Sequence, residues 1–133
     1  PPILDINAID GLVEVDGAAG PIRFEPFEVK HGRIEALGFR FCDVAYLPDV
    51  SEIPGAAWPL LGGLRLWILD ALRYKPHPTH AHVALSLEWI ARMAPERAIL
   101  TNLHNDLDYA RLDSETPANV IPAQDGLSVD LAL

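Results

Sequence analysis

The sequence is that of an acidic chain with the length and apolar content of one domain. It has 133 residues, 50% of them hydrophobic, and 19 acidic against 10 basic residues, which gives a net charge of −9. This composition is typical of a packed globular domain and argues against binding to nucleic acid or an anionic membrane through a basic face. The single cysteine, Cys42, excludes an intrachain disulfide framework and a cysteine-based zinc ribbon. With no apolar run of about 18 residues and no signal-peptide pattern at the start, a cytoplasmic location is the default expectation.

The first half of the chain is predicted to form strands. Residues 12–16 and 22–30 alternate apolar and polar side chains around a Gly- and Pro-containing turn, a pattern that predicts a β-hairpin. Residues 36–42 and 44–47 predict two further strands. Pro and Gly punctuate residues 51–63, which predicts a loop with one short helix.

The second half is predicted to contain a β-α-β unit and closing strands. The apolar run at 64–69 fits a strand buried on both faces, and residues 83–94 place apolar side chains at helical spacing. The remaining predicted elements are a strand at 97–100, a helix at 107–114 and strands at 119–123 and 127–133. Together these elements predict a layered α/β domain.

Three of the five histidines fall within six residues, between the 64–69 strand and the helix. Pro76 and Pro78 prevent a helix from forming across them. Thr79 is predicted to cap the helix that follows, which places His80 in the first helical turn. Because unpaired backbone N–H groups at a helix start favour an anion, this segment predicts a site for a phosphate or a metal-bound anion. The alternative is an exposed, Pro-rich loop.

The ligand-type side chains all fall at predicted strand ends or in the loops that follow them. Such loops tend to gather on one rim of a layered α/β protein, and ligands bind there. Imidazole and carboxylate donors without a thiolate suit zinc, manganese or iron. Taken singly, each residue also has an ordinary explanation in turn or capping chemistry. The residues are His31, Asp49, Asp70, His77, His80, His82 and His104.

Four segments resemble, in order and spacing, the C-terminal half of the metallo-β-lactamase fold superfamily, and most closely its phosphoribosyl cyclic phosphodiesterase-like branch. They are FEVKHG at 27–32, AYLPDVSEIP at 45–54, ILD at 68–70 followed by HPTH at 77–80, and AILTNLH at 98–104. The resemblance implies that residues 1–133 form one domain, the C-terminal half of a four-layer αββα sandwich in a longer chain. The superfamily signature His-x-His-x-Asp-His is absent, and we expect it upstream of Pro1. Without those ligands the fragment alone is expected to be inactive.

The resemblance also implies roles for the site residues. His31 and His104 would each ligate one of two divalent cations, Zn²⁺ or Mn²⁺, and Asp49 would bridge them. Two such cations activate a water and stabilise the charge that develops on phosphorus. His80 would act as the catalytic residue that protonates the leaving oxygen or holds the phosphate. The further candidates for contacts to the substrate or to the ligands are Asp70, Arg73, His77, Thr79, His82 and Asn102.

The last metal motif departs from the family pattern. The family usually places its final histidine directly after the Thr that ends the strand, and here that position is Asn102. We expect His104 to serve instead, because two residues along an extended segment return to the same side. The alternative is an impaired second metal site.

The function implied by the resemblance is metal-dependent hydrolysis of a small, cyclic phosphodiester. One alternative is an RNA-processing nuclease of the same superfamily, against which the charge of −9 counts. Another is a non-catalytic metal-binding or interaction domain. The expected partner is a small phosphorylated substrate; nucleic acid and a membrane are not expected, and a homodimer remains open.

Overall fold

The computed structural model describes residues 3–18 and 20–131, and a seven-stranded sheet forms its centre. The strands are Val13–Gly17 (β1), Gly20–His31 (β2), Ile34–Phe41 (β3), Val44–Leu47 (β4), Leu66–Asp70 (β5), Arg97–Thr101 (β6) and Val120–Pro122 (β7). The helices are Val83–Met93 (α1) and Tyr109–Glu115 (α2), with a 3₁₀ turn at Trp58–Leu61. The predicted α/β class and the order of its elements are confirmed.

The predicted closing strand at 127–133 is wrong for the part that the structure describes. Residues 127–131 have no strand assignment, and residues 132–133 lie outside the described ranges. Val129 and Leu131 instead pack on a small apolar cluster of the sheet formed by Val44, Leu66 and Ile99. Their apolar alternation therefore reflects the covering of a sheet face without backbone pairing.

The direction of the strands gathers several carboxyl ends at one edge of the sheet. The pairs β1–β2, β2–β3 and β3–β4 are antiparallel. The pairs β4–β5, β5–β6 and β6–β7 are parallel. Strand β2 is separated from β4 by two antiparallel steps, so it runs in the same direction as β4. The carboxyl ends of β2, β4, β5, β6 and β7 therefore lie at the same edge.

The main core lies between the sheet and α1. Strand β5 contributes Trp67 and Leu69, both fully buried, and α1 contributes Trp89 and Ile90. Four of the five β5 residues are buried, which confirms a strand covered on both faces. Each large apolar side chain of this kind stabilises the fold by about 1.5–3 kcal/mol, so β5 is anchored firmly at the centre of the sheet.

Helix α1 begins at Val83, as the apolar spacing predicts, but its cap differs from the predicted one. Its N-cap is His82, whose Nδ1 accepts a hydrogen bond from the backbone N–H of Leu85 at 2.9 Å. The prediction of Thr79 as the N-cap, with His80 in the first helical turn, is therefore wrong. The backbone just before His82 is extended and bonded to the chain beyond β5: Leu72 donates to the carbonyl of Ala81 at 3.0 Å. This pairing prevents an earlier helix start.

The helices that the structure describes include none with the length and apolar character needed to cross a membrane.

Candidate metal centre

Three of the predicted site residues meet at the carboxyl edge of the sheet. One potential ligand atom from each of His31, Asp49 and His80 lies within 4.8 Å of the other two. His31 ends β2, Asp49 follows β4, and His80 belongs to the loop after β5. The parallel directions of these strands bring together side chains that are as many as 49 positions apart in the sequence.

The segment after Asp49 is tied to the end of β2. The backbone N–H of Gly32 donates to Ser51 Oγ at 2.9 Å, and the N–H of Ser51 donates to the carbonyl of Lys30 at 2.7 Å. These bonds fix the distance between His31 and Asp49. Sequence reasoning missed Ser51, because a serine in a loop gives no local signal that it pairs with a strand 20 residues earlier.

Gly32 allows the histidine loop, residues 76–82, to approach β2. Its φ of +68° favours glycine, and a Cβ there would lie 2.6 Å from Cγ2 of Thr79 and 3.3 Å from the carbonyl oxygen of Pro78. Any other residue would push the loop away. The close approach places the ring of His31 4.6 Å from the ring of His80, nearly perpendicular to it.

The buried carboxylate of Asp70 orients the ring of His80. Its carboxylate is fully buried, and Oδ2 accepts from His80 Nδ1 at 2.8 Å, from the backbone N–H of Ala81 at 3.2 Å and from that of Val50 at 3.3 Å. Burial raises the pKa of Asp70 above its ordinary value, and the hydrogen bond from His80 opposes that shift. With Nδ1 engaged, Nε2 is the ring nitrogen of His80 that remains for a ligand.

The chemistry of the donors fits a divalent cation. Nδ1 of His31 is buried and has no hydrogen-bond partner among the described residues. A buried polar atom without a partner typically costs about 1–3 kcal/mol, and a catalytic or binding role is a common reason for retaining one. Two imidazoles and one carboxylate form a usual ligand set for Zn²⁺ and related ions.

The structure does not bring His104 into this group. Its Nδ1 lies 2.9 Å from Oδ1 of Asp106, and about half of its side chain is exposed. The expectation for His104 assumed an extended segment, but Asn102 has a φ of +60°, in the left-handed region. The chain turns there, so residues 102 and 104 no longer share a side. Asn102 itself contacts the site, with Nδ2 3.3 Å from Oδ1 of Asp70 and 3.2 Å from Nδ1 of His80.

The remaining predicted site residues shape the histidine loop. Arg73 donates to the carbonyls of Lys75 at 3.2 Å and Pro76 at 2.9 Å, so it braces the loop. Thr79 is bonded to His77 through its backbone N–H and its hydroxyl. The ring of His77 lies 5.3 Å from that of His80. Desolvation and, secondarily, the Arg73 guanidinium hold the pKa of His77 below its ordinary value, which favours the neutral ring.

Comparisons with known proteins place this arrangement in a family. The family model described as "Beta-lactamase superfamily domain" matches residues 3–102, three quarters of the chain. The matched range contains His31, Asp49, Asp70, His80 and Asn102, the residues that meet at the carboxyl edge of the sheet.

Two solved structures share the fold, and a curated protein shares sequence with the chain. A diphosphatase from the PhnP family is 35% identical, with a TM-score of 0.87 over 95% of this chain and 48% of its own. The metallo-beta-lactamase fold protein YhfI from Bacillus subtilis is 16% identical, with a TM-score of 0.72 over 91% of this chain and 54% of its own. An octanoyltransferase from Porphyromonas gingivalis is 29% identical over 106 residues, which cover 77% of this chain and 21% of that protein.

The chain thus spans about half the length of these structures and about a fifth of the curated relative. The predicted likeness to the metallo-β-lactamase fold is confirmed by the sheet and by these matches. This chain belongs to the family of beta-lactamase superfamily domains.

Proposed function

We propose that this chain is the C-terminal part of a metal-dependent phosphodiesterase that acts on a small phosphorylated substrate. The observation that carries the proposal is the convergence of His31, Asp49 and His80 within 4.8 Å at the carboxyl edge of the sheet, with the buried Nδ1 of His31 left unpaired among the described residues. His31 and Asp49 supply an imidazole and a carboxylate that suit a divalent cation, and His80 lies beside them.

His31, Asp49 and His80 have different roles in the proposed hydrolysis. A divalent cation at this cluster supplies Lewis-acid activation of water and neutralises charge on the phosphate. His31 and Asp49 would hold the cation, Zn²⁺ or Mn²⁺. His80, fixed through Nδ1 by Asp70, presents Nε2 to the leaving oxygen and can carry a proton there. A segment outside this chain, with the pattern His-x-His-x-Asp-His, would supply the other ligands and complete a centre for two cations.

The choice of a small phosphorylated substrate rests on a relative and on charge, and the phosphodiester linkage is what the resemblance of the four sequence segments implies. The relative with 35% identity is named a diphosphatase, and it shares the fold over 95% of this chain. The octanoyltransferase corresponds to this chain over only 21% of its length, so acyl transfer is not proposed. A net charge of −9 disfavours a polymeric anion such as RNA, since backbone binding needs basic residues. A small substrate needs only the cation and a few donors.

The test uses the complete protein that carries this chain. The protein is stripped with a chelator, reloaded with Zn²⁺ or Mn²⁺, and assayed on an aryl phosphodiester, an aryl phosphomonoester and an aryl acyl ester. We expect activity on the phosphodiester that disappears on chelation and returns with metal. Activity on the acyl ester alone, or phosphodiester hydrolysis that persists without any metal, would refute the proposal.

A further inference from the structure

Asn102 sits where the ends of three parallel strands meet. It follows the last residue of β6, and its Nδ2 lies 3.4 Å from the carbonyl oxygen of Pro48 after β4. The same nitrogen lies 3.3 Å from Oδ1 of Asp70 at the end of β5 and 3.2 Å from Nδ1 of His80. One side-chain amide thus contacts the segments after β4 and at the end of β5 as well as the His80 ring itself.

We propose that Asn102 is a positioning residue for His80 and acts by holding the Asp70 carboxylate. This inference rests on the proposed function, in which His80 takes part in the reaction. Asn102 touches neither the substrate nor the reacting atoms in this scheme. Its effect passes through one hydrogen bond to Asp70 and from there to the imidazole.

The two oxygens of Asp70 have different partners. Oδ2 is shared by His80 and by the backbone N–H groups of Val50 and Ala81. Oδ1 accepts from Asn102, its one hydrogen-bond donor among the described residues. The Asp70 side chain has no exposed surface, whereas Asn102 is exposed, so Asn102 both donates to Oδ1 and stands between it and the solvent. Without Asn102 the carboxylate would rotate to share its donors between both oxygens, and the bond to His80 Nδ1 would lose its alignment.

The amide also packs directly beside the ring. Asn102 Nδ2 and His80 Nδ1 are 3.2 Å apart, and the NH₂ group carries two hydrogens, for which Asp70 Oδ1 and the Pro48 carbonyl are the acceptors. The distances of 3.3 and 3.4 Å are long for hydrogen bonds, so the position of the Asn102 amide depends on both bonds acting together. With the amide held there, the His80 imidazole is confined to the orientation in which Nδ1 faces Asp70.

The backbone explains why this position suits asparagine. A φ of +60° is costly for most residues, but asparagine tolerates the left-handed region. Aspartate would adopt the same backbone and shape, yet it would bring a second carboxylate to Oδ1 of Asp70 with no proton to donate. Glycine would keep the backbone and remove the amide. Both substitutions keep the left-handed backbone turn and remove the hydrogen bond from the amide to Asp70, so they test the hydrogen bond without changing the turn.

The experiment compares Asn102→Gly and Asn102→Asp with Asn105→Gly, an exposed control position three residues after Asn102 that is not part of the cluster. Two quantities are measured in the complete protein. The first is the ¹⁵N chemical shift of each ring nitrogen of His80 in the metal-free state. The second is kcat and KM on an aryl phosphodiester after metal loading, with thermal unfolding recorded for every variant.

We expect Asn102→Gly to shift Nδ1 of His80 away from the value of a nitrogen that carries the proton, whereas Asn102→Asp keeps a proton on Nδ1, because it adds a second carboxylate beside that nitrogen, but loses the donor to Asp70. Their kcat should fall about 10–100-fold, the usual effect of removing an outer hydrogen-bond partner, with KM little changed. Asn105→Gly should change neither quantity. Unchanged ring shifts in Asn102→Gly, or equal effects in Asn105→Gly, would overturn the proposal. If the unmodified protein hydrolyses no phosphodiester, the proposed function fails, while the ring shifts still decide the role of Asn102.

Discussion

Nδ1 of His80 lies 2.8 Å from Oδ2 of Asp70, a carboxylate with no exposed surface at the end of the central strand β5. This pair defines what the imidazole can do. When His80 is neutral and donates from Nδ1, Nε2 has a lone pair for a cation or a proton. When His80 is protonated, Nε2 becomes a proton donor. Both roles depend on the same contact to Asp70.

The first prediction separates these roles. In the complete protein, His80→Ala should lower kcat on a phosphodiester by about 10²–10⁴-fold, the usual loss when a general acid is removed, and the metal content should stay unchanged. His31→Ala should instead lose metal. Elemental analysis beside turnover of an aryl phosphodiester measures both. Loss of metal in His80→Ala would make His80 a ligand, which its place within the 4.8 Å cluster also allows.

The second prediction concerns His104. Because its Nδ1 pairs with Asp106 at a half-exposed site away from the cluster, His104→Ala should leave metal content and kcat nearly unchanged. The measurement is metal titration of the purified variant, with His31→Ala as the positive control for ligand loss. A drop in metal affinity comparable to that of His31→Ala would return His104 to the ligand set.

The third prediction concerns the start of α1. His82→Ala should lower the free energy of unfolding by about 1 kcal/mol, the typical cost of a lost N-cap, because Leu85 N–H loses its acceptor. His82→Asn should recover most of this, since asparagine is a good N-cap. Urea unfolding monitored by circular dichroism gives both values. Equal stability of the Ala variant and the unmodified chain would show that the cap contributes nothing.

The fourth prediction concerns acid stability. The hydrogen bond from Arg65 holds the pKa of Asp43 below its ordinary value, so the folded protein binds this proton less tightly than the unfolded chain. The stabilisation is fully present above the unfolded pKa of about 3.9 and is lost as pH falls toward the lower folded value. The stability difference between the unmodified chain and Asp43→Asn should therefore shrink as the solution is acidified below about pH 4. Urea unfolding at several acidic pH values tests this, and a difference that stays constant across the range would contradict it.

Local pattern was sufficient for most of the fold. Alternating residues and turn-forming residues predicted the hairpin of β1 and β2, and the apolar run of β5 predicted a strand covered on both faces; both are confirmed. Strand ends and the family resemblance together singled out His31, Asp49 and His80, which the structure brings within 4.8 Å. These features depend on residues close to one another in the sequence or on the order of segments.

The predicted N-cap at Thr79 and the predicted position of His104 differ from the structure for the same physical reason. Thr79 was predicted as the N-cap, but Asp70 and the backbone near Leu72 hold the chain extended through Ala81 and place the N-cap at His82. His104 was predicted at the cluster, but the left-handed turn at Asn102 redirects the chain. Both segments contact Asp70 or Leu72, at or just after the end of β5, and these partners lie nine or more residues away in the sequence. No local preference of Thr79 or His104 reveals such a contact.

The order of strands in the sheet, β1 to β7, is also their order along the chain. During synthesis each strand therefore emerges when the neighbour it pairs with has already left the ribosome. Among the described strands the longest connection between two paired neighbours is residues 71–96, between β5 and β6, so the entropic cost of closing each loop stays low. The order of synthesis thus matches the order of assembly, and a growing chain of this topology exposes one open strand edge for the time needed to make the next strand.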